Sequence, residues 1–418
     1  MERFRMNMSR NEDRKKNSNN GGTGLGSDPK NALPTVAQLM HAYAHDTGLE
    51  PPRHNPRRYL WTDAFAVCNL LELYRQTADE NHLRLALALV DQVHHVLGRH
   101  RPDDRRTGWI SGLDEEEGKR HPTRGGLRIG KSLPERGPHE AYDHRMEWDR
   151  DGQYYHYLTK WMHALNRVSR ETNNPMFNTW ALELAKAAHT GFVHPAPAGA
   201  KRMFWKMSID LTYPLVPSMG HHDPLDGLIT YHQLSATALE FSNPPTPSLE
   251  SEIADLETLC RGKNWATDDP LGIGGLLGDA DKVSKLIVKG TFSGTALLSD
   301  LLDAALEGLT AVAESRFTAL SADYRLAFRE LGMAIGLHAV PGIQDTLSEN
   351  IAVFPADHPL HMRIDRFSPY MELSETIEQF WLDSRNRNSK TWMDHEDINR
   401  VMLATSLAPE GYLVSIQK

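Results

Sequence analysis

Twelve stretches of this chain carry apolar residues at helical spacing, and the connections between them are unequal in length. Asp63 to Tyr74 places Phe65, Val67, Leu70, Leu71 and Tyr74 at the period of an amphipathic helix. His82 to Leu97 repeats the pattern with Leu83, Leu85, Leu87, Leu89, Val90, Val93 and Val96. The same period runs through 33–46, 150–170, 174–193, 223–240, 248–262, 269–287, 294–315, 322–338, 372–386 and 395–407. A strand pattern occurs only around Met203–Leu211. The connections at 78–81, 171–174 and 241–248 are short, as between antiparallel neighbours. Those at 47–61, 99–148, 194–222 and 387–394 are long, and they precede the helices starting near 62, 149, 223 and 395. Helices starting near 269 and 322 complete a set of six. If helices alternate between two layers, these six are parallel and their N-termini share one face. A closed ring of six helical hairpins is the simplest all-α architecture with that arithmetic.

The six starts resemble one another: Trp61-Thr62-Asp63, Trp148-Asp149, His222-Asp223-Pro224, Asp268-Asp269-Pro270, Asp323 and Trp392-Met393-Asp394. HDPLDGL at 222–228 and DDPLGIG at 268–274 are close enough to suggest an internal repeat. Asp is a preferred N-cap and Pro a preferred first helical residue, so capping explains any one of them. Six such starts converging on one mouth imply that some of the carboxylates face a common cavity.

Composition narrows the class. The 418 residues are 40% hydrophobic and 24% charged, which is ordinary for a folded globular chain. No apolar run approaches the roughly 18 residues that span a membrane, and Met1-Glu2-Arg3-Phe4-Arg5 opens no secretory signal. Residues 1–31, polar and Gly/Asn-rich from position 8, read as a disordered leader, and 32–418 as one folded unit. Two cysteines, Cys68 and Cys260, exclude a disulfide framework or a thiolate metal cage, and a cytoplasmic location is expected. A net charge of −9 argues against a nucleic-acid partner. The 21 histidines are the compositional excess.

Helix 150–170 concentrates candidate chemistry. Asp149, Gln153, His156, Lys160 and His163 share one face, opposite Tyr154, Tyr157, Leu158, Trp161, Met162 and Leu165. Such a stripe is either a solvated outer face or the wall of a wet cavity. The aromatic back and the histidines favour the cavity, and Asp226, Thr230, Gln233 and Thr237 form a second stripe of the same kind. The 99–148 connection is too long to be an ordinary loop. Its GWISGL (108–113), acidic run Asp114 to Glu117 and ending Tyr142-Asp143-His144-Arg145-Met146-Glu147-Trp148 suit an ordered lid over the mouth. Carboxylates with aromatic platforms suit a sugar. Within the lid, Gly125 to Ser132 matches the P-loop letters, but HPTR precedes it and Pro134 and Pro138 follow, so the required strand and helix are missing. Arg124, Arg128 and Lys131 remain candidates for holding an anionic substrate. No metal is expected: His221-His222-Asp223 is dense in donors, yet neither His139-Glu140 nor His395-Glu396 completes an HExxH pair. No GxSxG elbow is present, and no cofactor signature appears.

Six inner helices with acids and aromatics at their N-terminal mouth, and long loops on that face, resemble the six-hairpin glycosidase superfamily. That group includes glycoside hydrolases, unsaturated glucuronyl hydrolases and N-acylglucosamine 2-epimerase-type enzymes. The resemblance spans about residues 33–410 and lies in architecture and mouth chemistry. It implies an (α/α)6 toroid, six inner and six outer helices with the lid on the inner N-terminal face, and a small sugar or uronide as partner. The leading expectation is hydrolysis of a glycosidic bond by carboxylate acid/base catalysis. Glu147 or Asp149 would act from the lid with Asp223 opposite, and Asp268 and Asp269 stand in reserve. His222 and His156 would orient or share protons, while Trp109, Trp148 and Tyr155 would line the sugar site. The rival is a sugar epimerase or isomerase in which histidines carry the protons. A third reading is a non-catalytic toroid that binds a partner or ligand at its mouth.

Overall fold

The computed structural model describes residues 29–196, 200–241 and 247–413; the leader expected over 1–31 lies outside the described residues except for its last three, which already belong to a helix. Twelve long helices build the molecule: α1 (Pro29–Thr47), α2 (Leu60–Thr77), α3 (Glu80–Leu97), α4 (Tyr155–Thr172), α5 (Pro175–Phe192), α6 (Asp223–Glu240), α7 (Glu250–Cys260), α8 (Pro270–Val288), α9 (Ala296–Glu314), α10 (Ala327–Glu349), α11 (Glu372–Leu382) and α12 (Glu396–Leu407). Helices α2, α4, α6, α8, α10 and α12 each pack on the next, and α12 returns to α2, so the inner ring closes. Outside it, α3, α5, α7, α9 and α11 each pack back on the inner helix before them. The sixth outer helix is α1, which joins α12 to α2 and ties the two ends of the chain together. The fold is an (α/α)6 toroid.

Burial separates the layers as the sequence does. Helix α2 is buried continuously from Leu60 to Leu73, as expected of a helix surrounded on all sides. Helix α3 buries only one stripe, Leu85, Ala86, Leu89, Val90, Val93, His94 and Leu97. Helices α8 and α10 approach most closely, because Gly274, Gly332 and Gly336 lie between them. A Cβ on Gly274 would overlap the Gly332 carbonyl oxygen, and one on Gly336 would sit 2.5 Å from the Gly274 Cα. Gly→Ala inside a helix ordinarily gains about 1 kcal/mol. Here overpacking, at about 1–3 kcal/mol, opposes that gain. Gly274→Ala is therefore expected to lower the thermal midpoint rather than raise it, which a melting curve checks.

All twelve expected helices are present, with shifted ends. The segment expected as helix 150–170 begins only at Tyr155, because Arg150–Tyr154 is extended and Gly152 adopts φ +145. Asp149 and Gln153 are consequently off the helix, and the five-residue stripe shortens to His156, Lys160 and His163. The segment expected at 322–338 begins with a 3-10 turn, Ala322–Tyr324, and α10 then continues through Pro341 to Glu349. The strand expected near Met203–Leu211 is split. Lys201–Met203 pairs with Val193–Pro195, and Lys206–Met207 lies antiparallel between Gln153–Tyr154 and Pro214–Val216.

The lid is ordered by ion pairs more than by secondary structure. Two short helices, Glu115–Arg120 and His144–Asp149, are capped by Asp114 and Asp143. Buried Asp151 gathers Arg128 at 2.6 Å, Arg101 at 3.3 Å and the amides of Gly130 and Lys131 at 3.0 and 3.3 Å. The P-loop-like run is thus wrapped around a carboxylate, and residues 121–133 contain neither a strand nor a helix. No helix among the described residues is long and apolar enough to cross a membrane.

Candidate active site

The N-terminal ends of the inner helices and the lid enclose a cavity of about 2810 Å³. That is well above the roughly 300–1,000 Å³ of a small-ligand pocket. Every inner helix contributes to its wall, among others through Asp63 (α2), His156 and Lys160 (α4), Asp223 and Asp226 (α6), Asp279 and Lys282 (α8), Arg329 (α10) and Asp397 (α12).

At the floor, α4 and α6 bring a histidine and two acids together. Asp223 opens α6, and its Oδ1 lies 3.6 Å from Nδ1 of His156. Both residues line the cavity, yet Asp223 Oδ2 and His156 Nδ1 are buried without a hydrogen-bond partner. Burial, reinforced by the charge of Asp226, pushes the Asp223 carboxyl up to about 8. Burial lowers the His156 imidazole to about 4. Between those values the carboxyl keeps its proton and the imidazole is neutral.

Asp226, one helical turn along, behaves in the opposite way. Lys160 Nζ donates to both its oxygens at 2.7 and 2.8 Å, and Thr159 donates at 2.6 Å. Burial opposes its ionisation, but Lys160 and Lys282 outweigh burial and hold the carboxyl below its usual range. Asp279 and Lys282, 3.2 Å apart, extend this buried charge cluster from α8. Below it, His163 contacts Gln233 and the Tyr412 carbonyl, Gln233 donates to Asn166, and Asn166 donates to Thr237. The second polar stripe therefore closes the centre of the ring with hydrogen bonds.

Aromatic rings form the adjoining wall. Tyr154 stacks on His156 with centroids 5.4 Å apart, and Trp205 lies nearly parallel to the same imidazole at 6.4 Å. Trp148 meets Trp205 edge-on at 5.5 Å and is 47% exposed toward the mouth. Such a surface suits the apolar face of a pyranose.

The other sequence candidates scatter. Asp149 ends the short lid helix, lines the cavity, is exposed, and its carboxylate has no partner among the described residues. Glu147, two residues earlier, is buried; Lys206 holds one oxygen at 2.9 Å and Arg136 the other at 3.1 Å, and it does not line the cavity. Asp269 lines the cavity but caps α8 and pairs with Arg329 at 2.6 Å, whereas Asp268 is exposed outside it. His222 lines the cavity with Nε2 2.8 Å from the Trp265 carbonyl, and burial lowers its basicity. Trp109 is buried inside the lid beneath Arg99. Tyr155 is buried with its hydroxyl on Tyr231 at 3.1 Å. Arg124 pairs with Glu183, away from the cavity. Arg128 reaches the wall but is fixed by Asp151 and by the Arg99 and Val96 carbonyls. Lys131 lines the cavity with Nζ over the Tyr59 ring at 5.3 Å and no acidic partner among the described residues. His221, His222 and Asp223 do not converge: among the described residues no three such donors are placed to share a metal. Cys68 and Cys260 lie outside the cavity, and burial pushes both thiols up to about 12.

Sequence reasoning passed over Trp205, Asp279 and Lys282. The signal for the last two was a charged run, Asp279-Ala280-Asp281-Lys282, inside an otherwise apolar inner helix.

No family model matches the chain, and no curated protein matches it. Among solved structures, it is similar to the GH76A alpha-1,6-mannanase from Salegentibacter sp. HEL1_6, at 10% identity and a TM-score of 0.44 over 92% of this chain and 100% of that one.

Proposed function

We propose that this cavity hydrolyses a glycosidic bond in a small sugar or uronide. The observation that carries the reading is Asp223, a buried carboxyl that keeps its proton at neutral pH beside a neutral imidazole on an aromatic-walled cavity. In the reaction, Asp223 gives that proton to the leaving oxygen as the anomeric C–O bond breaks. Asp149, the unpaired carboxylate on the lid, takes a proton from the water that attacks the anomeric carbon. Trp148, Trp205 and Tyr154 hold the ring. His156 returns a proton from solvent to Asp223 between turnovers. Asp226 stays ionised and, with Lys160, sets the field in which Asp223 keeps its proton.

The reading has a signed pH dependence. Asp223 must be protonated, so the rate falls as pH rises through about 8. His156 is neutral above about 4, so no imidazolium stands beside Asp223 to draw off its proton in that range. A kcat/KM profile flat between those limits is the expected result.

One observation favours a second reading. A neutral histidine held by a carboxyl is also a base suited to abstracting a proton beside a carbonyl, as in epimerisation. Proton NMR in D2O with pooled sugars and unsaturated uronide disaccharides separates the two. New anomeric signals support hydrolysis; deuterium entering at a carbon beside a carbonyl, with no bond cleaved, replaces it with isomerisation. Saturable binding with no product would leave a binding protein.

A further inference from the structure

The first nine residues of α8, PLGIGGLLG, hold four glycines, although glycine is among the poorest helix formers. Gly274 is explained by its close contact with α10, but Gly275 is not. It lies inside the helix with no left-handed backbone to accommodate, and a Cβ built on it would meet nothing within 4 Å. It is exposed although it belongs to an inner helix, because it faces the cavity. Gly278, nearly one turn further down the same face, also lines the cavity, and a Cβ there would meet only Leu413 Cδ2, at 3.9 Å. Neither packing nor backbone geometry calls for glycine at these two positions, so what they supply is room in the cavity.

That room lies on the far side of Asp223 from the aromatic wall. Helix α6, which begins with Asp223, packs between α4 and α8 in the ring. Its start touches the start of α8: a Cβ on Gly272 would stand 3.4 Å from His222 Cε1. Asp223 is only 5% exposed, and its Oδ2, without a hydrogen-bond partner, belongs to a carboxyl on the cavity wall between the two surfaces. The bare face of α8 ends at the cavity-lining pair Asp279 and Lys282, 3.2 Å apart, so its lower end is charged, which suits a hydroxylated ring better than an apolar group.

We propose that the bare face of α8 at Gly275 and Gly278 is the subsite of a second sugar ring, so that the substrate carries a ring on each side of the bond beside Asp223. The proposal rests on the sugar reading above and deepens it.

Saturation-transfer NMR of the full chain tests it with neutral disaccharides of glucose, mannose and galactose, their parent monosaccharides and the phenyl glycosides, and reads affinity and any cleavage in one sample. A disaccharide is expected to bind at least about tenfold more tightly than its parent monosaccharides. Gly275→Leu should remove most of that excess and leave the monosaccharide affinity unchanged. Gly275→Ala separates this from a structural role. It should raise the melting midpoint, because alanine is the better helix former and its Cβ meets nothing, and yet weaken disaccharide binding. It also keeps the test decisive if Gly275→Leu fails to fold. Disaccharides that bind no more tightly than monosaccharides overturn the proposal, as does an excess that survives both substitutions. Tighter binding of a phenyl glycoside than of any disaccharide overturns the second ring in favour of an apolar aglycone. If the excess is present and lost in the variants while no disaccharide is cleaved, the subsite stands and the hydrolytic reading fails.

Discussion

Replacing Asp223 by Asn is expected to lower turnover by about a thousandfold, within the range of one general acid or base. Asparagine keeps the size and polarity of the side chain but has no proton to give to a leaving oxygen. The fold should tolerate the change, because the Asn side-chain oxygen can still accept from the Gly220 backbone as the Asp223 carboxyl does, and the ionisable neighbour His156 stands 3.6 Å away. Removing a carboxyl that resists ionisation should even stabilise the protein at high pH. The folded-state value lies above the unfolded one, so the native state loses stability as pH rises through the interval up to about 8. The variant escapes that loss. Matched circular dichroism spectra, a collapsed kcat and a smaller loss of stability between about pH 4 and pH 8 form the expected set of results. Undiminished turnover would remove Asp223 from the chemistry.

The second large effect concerns stability. Lys160→Met should cost about 3–5 kcal/mol, because it leaves the buried Asp226 charge with only Thr159 as a direct partner. That is a large share of the 5–15 kcal/mol typical of a folded protein. The double variant Lys160→Met/Asp226→Asn should recover most of the loss, since it leaves no uncompensated charge. Denaturant titration of the two single variants and the double closes the cycle. Additive losses would show that the pair is not a unit, and that the floor of the ring is held in some other way.

Both expectations concern residues whose types were legible in the sequence, and Asp223 already stood in the expected catalytic pair, but their partners and charge states were not legible. The ring itself could be read from connection lengths, because long connections must lie on the face where inner helices begin. Helical spacing also placed His156, Lys160 and Asp226 on inward faces. It failed at Asp149 and Gln153, which continue the same period by coincidence across an extended segment. Gly152, at φ +145, breaks the helix there, and Gln153 instead accepts from the Leu127 amide and donates to the Gly125 and Ile209 carbonyls. The lid was the least legible part. Glu147 and Asp149 look alike in sequence, yet only the pairing of Glu147 with Lys206, 59 residues away, separates a buried anchor from an exposed carboxylate. Trp109 and Trp148 divide in the same way, one packed inside the lid and the other facing the cavity. Local spacing carries no information about such distant partners. The protonation of Asp223 was equally hidden, because it follows from burial and from Asp226 rather than from its position as a helix-start residue.

The account turns on that protonation, and a carbon-13 NMR titration of the aspartate carboxyls, with Asp223→Asn to assign the signal, measures it most directly. A resonance that titrates near pH 8 and vanishes in the variant is the predicted result. A carboxyl at position 223 that titrates in the ordinary range near pH 4 would already be ionised at neutral pH. It would have no proton to give, and the acid role assigned to it would be contradicted.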